Sequence, residues 1–191
     1  YEILRCLVGS EMCIRDSGIT DPAVKQNVLY ILANRYFKLN DIYEVRDQKV
    51  KYAKAVLTGA SKQAAIEAAE LEKDATLYRC HFEFPASLSL YINDKQIDAI
   101  KDGMTYNSLQ VQYESLVDMV PSLTEEEKKQ IYAWYKEARE FSMDAENSDK
   151  KHAAFNKYKG RINNYLTKRG YDLVKERNEW YKRLKAAGKK I

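Results

Sequence analysis

Glycine, proline and cysteine are scarce in this sequence of 191 residues, which contains seven Gly, three Pro and three Cys. Their scarcity, beside abundant Ala, Glu, Lys, Leu and Tyr, disfavours an all-β or disordered protein and predicts long helices. Long hydrophobic runs are also missing, because no window approaches the roughly 18 uninterrupted apolar residues of a membrane-spanning helix. The composition therefore predicts a mainly α protein without a membrane span.

An excess of one charge is lacking as well. The 32 basic and 28 acidic residues give a net charge of +4, and they intermingle along most of the chain as on solvated helix faces. The nearest approach to a basic run is the C-terminal "YKRLKAAGKKI", whose lysines suit the end of a helix; an anionic partner is the alternative. The charge pattern predicts no nucleic-acid partner.

The first 17 residues, "YEILRCLVGSEMCIRDS", have no signal-peptide order of basic, apolar and small residues. The string "CLVGSEMCIRDS" resembles a translated technical junction that recurs before unrelated proteins in assembled environmental sequence. We therefore predict that residues 1–17 are a non-native segment and that any export signal is missing. The segment should protrude, with Leu4, Leu7 and Ile14 outside the core, and its deletion should change the free energy of unfolding by no more than about 1 kcal/mol.

Cysteine usage follows from that prediction. Cys6 and Cys13 lie in the segment, which leaves Cys80 alone. One thiol forms no internal disulfide, and one Cys with two His cannot supply the usual four ligands of structural zinc. The chain also has no phosphate-binding glycine loop, no H-E-x-x-H and no G-x-S-x-G. We predict no metal site, no cofactor and a buried free Cys80.

Helix signals begin at Asp21, an N-cap, and Pro22, at the first helical position. No Gly or Pro follows before Gly59, and apolar residues recur at three- and four-residue spacing. This predicts one long amphipathic helix that ends at Gly59, with a break near Asn40 as the alternative. The fold prediction is a mainly α, multi-helix bundle with one long N-terminal helix, in a single helical domain over residues 18–191.

Further cap signals divide the rest of the chain. Pro85 interrupts or kinks the second helix, and "ASLSLYIN" is ambiguous between a buried helical segment and a short strand. "DKQIDAIKDG" and "YNSLQVQYESLVDMV" predict two shorter helices. The predicted caps of the other helices are Ser61, Thr124 in a capping box with Glu127, Ser148 and Asp172. The buried face after Thr124 is predicted to contain Ile131, Trp134, Tyr135, Ala138, Phe141 and Ala145. The inner side of the last helix is predicted to contain Leu173, Arg177, Trp180, Tyr181 and Leu184.

The stretch "KYKGRINNYL" carries the candidate ligand site. Tyr158 falls on the core face of its helix at 100° per residue, and Arg161 lies on one flank of that face. Gly160 costs about 1 kcal/mol relative to Ala in a helix, which predicts close packing there. A polar stripe occupies the other flank and consists of His152, Asn156, Lys159 and Asn163.

Two interpretations of this stripe stay open. Its side chains can lock one helix against another through hydrogen bonds. Together with Tyr158 and Arg161 they can also bind a polar ligand such as a sugar, because amide, cationic and aromatic groups suit hydroxyls and carboxylates.

No catalytic residue is assigned. Cys80 and His81 are a poor nucleophile and base, since adjacent helical residues diverge. Glu137, Glu140 and Asp144 are most simply a solvated face.

From about Ile19 onward the segments "ANRYFKLNDIYEVRD", "YRCHFEFPASLSLYIN", "IDAIKDGMTY", "EEEKKQIYAWYKEAREFSMDAE" and "KHAAFNKYKGRINNYLTKRGYDL" resemble a bacterial family of unknown function, domain of unknown function 3826. The resemblance implies an exported, periplasmic or secreted protein of polysaccharide-degrading Gram-negative bacteria, often encoded beside glycan-degrading enzymes. It supplies no catalytic residues.

Three functions follow as hypotheses. The first is an exported accessory protein of polysaccharide utilisation that binds a carbohydrate or a partner protein without catalysis. The second is a hydrolase or lyase on acidic polysaccharide, with His152 or His81 beside a carboxylate and an arginine in one cleft. The third is a periplasmic chaperone-like scaffold, which needs an exposed apolar concave surface.

Overall fold

The computed structural model describes residue 14 and residues 17–189. Over residues 17–189 the chain forms eight helices and no strand, which confirms the mainly α prediction. The helices are α1 (Pro22–Val56), α2 (Gly59–His81), α3 (Glu83–Leu88), α4 (Asp94–Met104), α5 (Ser108–Met119), α6 (Glu125–Met143), α7 (Ser148–Lys168) and α8 (Leu173–Ala186). The chain divides into two compact units, one ending at Met104 and the other beginning at Thr105. The predicted single domain over residues 18–191 stays a prediction.

Helix α1 is the long N-terminal helix that the sequence predicts. The Asp21 carboxylate accepts hydrogen bonds from the backbone N–H groups of Ala23 at 2.8 Å and Val24 at 3.2 Å, and Pro22 occupies the first turn. These contacts satisfy N–H groups that the helix start would otherwise leave without acceptors. The helix continues through Asn40, so the alternative of a break there is wrong.

The turn between α1 and α2 is shorter than predicted. Helix α1 ends at Val56, before Gly59, and α2 begins at Gly59, before the predicted cap Ser61. Gly59 has a φ of +55°, a left-handed conformation in which glycine carries no Cβ strain. Gly59 therefore begins α2, whereas the sequence pattern placed Gly59 at the end of α1.

The first unit packs α1 against α2, and both against the short α3. Each helix of the α1–α2 hairpin buries an alanine: Ala53 lies near the turn, whereas Ala69 lies farther along α2 and lines a cleft with Ile42 and Val45 of α1. Farther from the turn its core contains Leu32, Leu39, Phe84 and Leu88. The ambiguous "ASLSLYIN" stretch lies partly in α3 and then turns, so the strand alternative is wrong.

The N-terminal segment is described at only two positions before residue 18. Ile14 is buried, with 7% of its surface exposed, and the Ser17 hydroxyl donates a 2.6 Å hydrogen bond to the Ile14 carbonyl. The expected exposure of Ile14 is therefore wrong, while Leu4 and Leu7 lie outside the described residues. The non-native origin of residues 1–17 stays a prediction.

In the second unit α6 packs on α5 and α7, and α8 packs on α5 and α7. The Thr124 capping box is confirmed: the Thr124 hydroxyl accepts from the Glu127 N–H at 3.2 Å, and the Glu127 carboxylate accepts from the Thr124 N–H at 2.9 Å. Asp172 caps α8 as predicted. The cap of α7 is Asn147, one residue before the predicted Ser148, because the Asn147 side chain accepts from the Lys150 N–H.

The core of this unit is a single cluster of buried side chains from α5, α6 and α7 and the residues between them. Its members are Leu109, Leu116, Val120, Leu123, Ile131, Tyr135, Ala138, Phe155, Tyr158, Ile162 and Leu166. Spacings of three and four residues along each helix bring these side chains to one face. The face that the sequence assigned to the core of α7 is thus the face that is buried.

Parts of two predicted faces are wrong. On α6, Phe141 is 62% exposed, whereas Arg139 is buried and its guanidinium lies 3.3 Å from Glu140. The buried face of α6 lies one residue closer to the end of the helix than predicted, which explains the exposed Phe141 and the buried Arg139. On α8, Arg177 and Tyr181 are exposed. This helix is held at its end by polar bonds from Trp180 Nε1 to Asp118 and from Arg183 to the Asp118 carbonyl.

Candidate functional site

The surface between α6 and α7 carries alternating aromatic and charged side chains. The Arg161 guanidinium carbon lies 4.7 Å from the centroid of the Trp134 ring and 6.0 Å from that of Tyr158. The Arg161 guanidinium also lies 3.4 Å from the Glu137 carboxylate. We call this surface the cation–aromatic face, and it consists of Trp134, Glu137, Phe141, Tyr158, Arg161, Tyr165 and Arg169.

Helical spacing explains why these residues meet. Trp134, Glu137 and Phe141 are three and four residues apart on α6, so their side chains follow one line along the helix. Tyr158, Arg161 and Tyr165 of α7 and Arg169, which follows its end, are spaced by three, four and four residues. Because α6 and α7 pack side by side, the two lines adjoin and form one surface.

Glu137 links the charged and aromatic parts of the face. Burial raises the pKa of the Tyr158 hydroxyl to about 12, and its hydrogen bond to the Glu137 carboxylate adds to the shift. Tyr158 therefore stays a neutral hydrogen-bond donor at physiological pH. The same carboxylate faces Arg161, so one acidic group holds a hydroxyl and a guanidinium in place. Side chains held in this way lose less freedom when they bind a ligand.

The face continues in both directions from Arg161. Toward the end of α7, the Trp134 and Tyr165 rings meet edge to face at 5.0 Å, and the Arg169 guanidinium lies 4.8 Å from the Tyr165 centroid. Toward the end of α6, the Phe141 ring stacks on Tyr158 with 6.3 Å between centroids. Apolar rings and charged groups thus alternate along a half-exposed surface.

The six residues predicted to bind a ligand fall into two groups. Arg161 and Tyr158 lie together in the cation–aromatic face. On the other flank of α7 His152, Asn156 and Lys159 are exposed and Asn163 is half-buried, and the His152 ring stacks on Tyr106 at 5.5 Å. The structure separates the polar stripe from Arg161, as the helical spacing indicates. A ligand role for the stripe stays a prediction.

Cys80 and His81, which the sequence indicates to be a poor nucleophile and base, belong to the first unit. Cys80 is buried and free, which confirms the prediction for that thiol. It lines a cleft of about 200 Å³ with Arg35, Lys38 and Glu83, and the Arg35 guanidinium donates to the Cys80 carbonyl at 3.0 Å. His81 is outside this lining, and its ring meets Phe82 edge to face at 5.0 Å. The cleft therefore does not combine a histidine with its carboxylate and arginine.

The carboxylates of α6 act separately. Glu137 pairs with Arg161, while Glu140 pairs with Arg139.

Among the described residues, no group of three or more His, Cys, Asp or Glu side chains could hold a metal ion. Within the same part of the chain, no helix combines the length and apolar character needed to span a membrane.

Sequence patterns missed most of the cation–aromatic face. Trp134 and Phe141 were assigned to the core, Glu137 to a solvated face, and Arg169 was given no role. One sequence pattern could have found them. On each of two consecutive helices an aromatic residue precedes a charged residue by three positions, as Trp134 precedes Glu137 and Tyr158 precedes Arg161. That pattern predicts a shared surface only when it is known which faces of the two helices adjoin.

The comparisons with known proteins address the family and not the site. A comparison with curated proteins gives no match. The family model described as "Protein of unknown function (DUF3826)" matches residues 10–186. This match covers most of the chain and begins inside the segment predicted to be non-native. The chain therefore belongs to the protein family of unknown function DUF3826.

Proposed function

We propose that this protein is an exported accessory protein of polysaccharide utilisation, which binds a glycan on the cation–aromatic face without catalysing a reaction. The observation that carries the proposal is the position of Arg161, stacked over Trp134 at 4.7 Å and paired with Glu137 at 3.4 Å on a half-exposed surface. Beside these two fixed polar groups, the Phe141 ring is 62% exposed and offers an open apolar surface.

Sugars require that combination. One face of a pyranose ring presents C–H groups, which pack favourably on the electron-rich face of an aromatic ring. The hydroxyls around the sugar need donors and acceptors, and the planar guanidinium of Arg161 can donate two parallel hydrogen bonds while Glu137 accepts. Sites for small ligands generally combine apolar and aromatic walls with a few oriented polar groups.

The length of the face suits an oligosaccharide better than a single sugar. Tyr158 of α7 and Arg169, the residue that follows its end, are eleven positions apart, which corresponds to roughly 16 Å along a helix. Phe141 extends the surface beyond Tyr158 with a ring that is largely exposed. An extended sugar chain can therefore contact the Phe141 ring and the guanidinium groups of Arg161 and Arg169 at once. Repeated weak contacts of this kind raise affinity without a deep pocket.

The two histidines lie outside the cation–aromatic face. The hydrolase or lyase hypothesis needs His152 or His81 beside a carboxylate and an arginine. His152 is exposed and stacks on Tyr106, and His81 meets Phe82 outside the lining of the adjacent cleft. A periplasmic or secreted location is part of the proposal and is supported by the family's implied export.

The proposal is tested by thermal shift and calorimetric titration with plant cell-wall oligosaccharides, both neutral and uronate-containing. A bound oligosaccharide should raise the melting temperature, and the rise should grow with the logarithm of the oligosaccharide concentration above Kd. Arg161→Gln and Phe141→Ala should each remove most of that rise and leave the unliganded melting temperature nearly unchanged, because both side chains are at least half exposed.

The matched controls are Arg177→Gln and Val174→Ala, which change exposed side chains on α8. They should bind as the unchanged protein does. The proposal fails if no oligosaccharide raises the melting temperature, or if the control substitutions reduce binding as much as Arg161→Gln. Release of reducing ends during the titration would instead support the enzyme hypothesis.

A further inference from the structure

Charge is unevenly distributed in the second unit. Residues 105–147, which include α5 and α6, contain nine acidic and four basic residues. Residues 148–189, which include α7 and α8, contain thirteen basic and four acidic residues. The positive net charge of the chain is therefore concentrated in its last two helices, and α7 is the one that contributes to the cation–aromatic face.

Four of these basic residues form a straight line along α7. We call it the basic line, and it consists of Lys150, Lys157, Arg161 and Lys168, all of which are exposed. Their intervals of seven, four and seven residues place the four side chains within about 40° of one another around the helix. Because eighteen residues separate its ends, the line is about 27 Å long.

The basic line is continuous with the cation–aromatic face. Arg161 belongs to both, since its guanidinium lies 4.7 Å from the Trp134 ring centroid. From Arg161 the line extends to Lys150 at the start of α7 and to Lys168 at its end. A ligand that lies along this side of α7 therefore meets cations over the full length of the helix.

The three lysines of the basic line are not neutralised within the chain. Among the described residues, their ammonium groups form no ion pair with a carboxylate. Arg161 differs, because it pairs with Glu137 at 3.4 Å. An anion can therefore approach the three ammonium groups without displacing a carboxylate of the protein itself.

Carboxylates near the basic line have other positions or other partners. Asp149 is the one acidic residue of α7, and it lies about 100° around the helix from the line. On α6, Glu137 pairs with Arg161, while Glu140 pairs with Arg139. The remaining carboxylates of residues 125–147 that are not fully buried form no ion pair with a lysine of the line, and they are Glu125, Glu126, Asp144 and Glu146.

We infer that the basic line selects acidic polysaccharides, which are chains of uronate sugars, as the glycans that this protein binds. The inference rests on the proposed binding of a glycan to the cation–aromatic face and names its ligand class. A uronate carries a carboxylate on its sugar ring, so an extended polyuronate presents a row of anions. The ammonium groups of the line can bind such a row through charge-assisted hydrogen bonds.

The aromatic rings beside the basic line favour a sugar chain over a nucleic-acid strand. Bases of a single strand stack on open aromatic faces. In the cation–aromatic face, Arg161 covers Trp134 at 4.7 Å and Arg169 covers Tyr165 at 4.8 Å, so these two rings are occupied. Phe141, which is 62% exposed, can still pack on the C–H groups of one sugar.

The test compares two forms of one oligosaccharide by calorimetric titration of the full chain. One form is a galacturonate oligomer, and the other is the same oligomer with its carboxylates methyl-esterified, which removes the charge. Exposed ion pairs are individually weak, so three together should make the free acid bind about tenfold more tightly than the ester at low salt. Added NaCl should weaken binding of the acid and leave the ester nearly unaffected, because salt screens exposed charges.

Variants identify the basic line as the source of the preference. The double variant Lys157→Gln with Lys168→Gln should raise the Kd of the free acid by about fivefold and leave that of the ester unchanged. The matched control is Lys159→Gln, because Lys159 is exposed on the same helix and lies about 180° around it from the line. All these lysines are exposed, so melting temperatures without ligand should stay nearly unchanged.

Equal affinity for the free acid and the ester would overturn the inference and leave the proposed glycan binding intact. Absence of binding by the free acid would also overturn it, and would contradict the proposed function as well if neutral oligosaccharides and the ester fail to bind. Two further results would overturn the inference. One is tighter binding of a single-stranded oligonucleotide than of the free acid, and the other is a loss of affinity in Lys159→Gln equal to that in the double variant.

Discussion

The Tyr171 hydroxyl donates a 2.7 Å hydrogen bond to the buried Glu127 carboxylate, which joins the start of α6 to the turn between α7 and α8. Glu127 also accepts the Thr124 N–H within the capping box, and the Arg169 guanidinium lies 3.6 Å from it. One carboxylate therefore caps a helix and fixes a turn that follows it by more than forty residues. This makes Glu127 the best position at which to test electrostatics in the fold.

The first prediction concerns Glu127→Gln. Burial raises the pKa of Glu127, but hydrogen bonds from Tyr171 and Thr124 outweigh burial and hold the pKa below its ordinary value of 4.5. The charged carboxylate thus stabilises the fold above that value, and the contribution disappears as the pH falls through the folded pKa. Glu127→Gln should lower the free energy of unfolding by about 1–3 kcal/mol at neutral pH.

The measurement is urea denaturation at a series of pH values. The difference between Glu127→Gln and the unchanged protein should shrink steadily below about pH 4.5. Glu126→Gln, in the same helical turn but exposed, is the control and should show little change. A stability difference that is independent of pH would contradict the electrostatic role.

The second prediction concerns Ala53 in α1. Ala53 is fully buried, so Ala53→Leu forces extra volume between closely packed helices and should lower the free energy of unfolding by about 1–3 kcal/mol. Ala55→Leu makes the same change at an exposed position of the same helix and should be nearly neutral. Equal urea midpoints for the two variants would show that the helices do not approach closely at Ala53.

The third prediction reverses an expectation from the sequence. Gly160 lies within α7, and a Cβ built there would meet no heavy atom within 4 Å. The close packing predicted for Gly160 is therefore wrong, because that side of α7 faces open space. Gly160→Ala should raise the free energy of unfolding by about 0.5–1 kcal/mol through helix propensity alone. A lower melting temperature for this variant would reveal a neighbour that the structure lacks.

The fourth prediction concerns the polar stripe of α7. If its side chains lock helices together, Lys159→Ala and Asn163→Ala should each lower the free energy of unfolding by about 1–3 kcal/mol. Because Lys159 is exposed and Asn163 only half-buried, we expect changes within about 0.5 kcal/mol instead. A loss above 1 kcal/mol for both variants, measured by chemical denaturation, would support the helix-locking interpretation.

Local sequence chemistry predicted the helix starts well. Asp21, Thr124 and Asp172 cap their helices as expected, since a short polar side chain before a helix binds N–H groups a few residues away. Ser148 was displaced by Asn147 because either side chain can cap and the sequence alone does not choose between them. Helix ends were less certain, since the left-handed Gly59 begins a helix in place of ending one.

Side-chain burial depends on which helices become neighbours, and the sequence patterns could not supply that. Phe141 is apolar at a suitable spacing, yet the core of α6 turned toward Ala138 and Met143 and left its ring exposed. The polar stripe was visible because it lies on one helix. The cation–aromatic face was not, because Trp134 and Arg161 belong to different helices.

The short turn between α1 and α2 bears on how the chain begins to fold. Only Leu57 and Thr58 separate the two helices, so their pairing closes a small loop and loses little chain entropy. Helices α6 and α7 are likewise consecutive and joined by a few residues. Chains dominated by such local pairings fold in microseconds to milliseconds. The hairpin of α1 and α2 can therefore assemble during synthesis, before the ribosome has added the residues of α7.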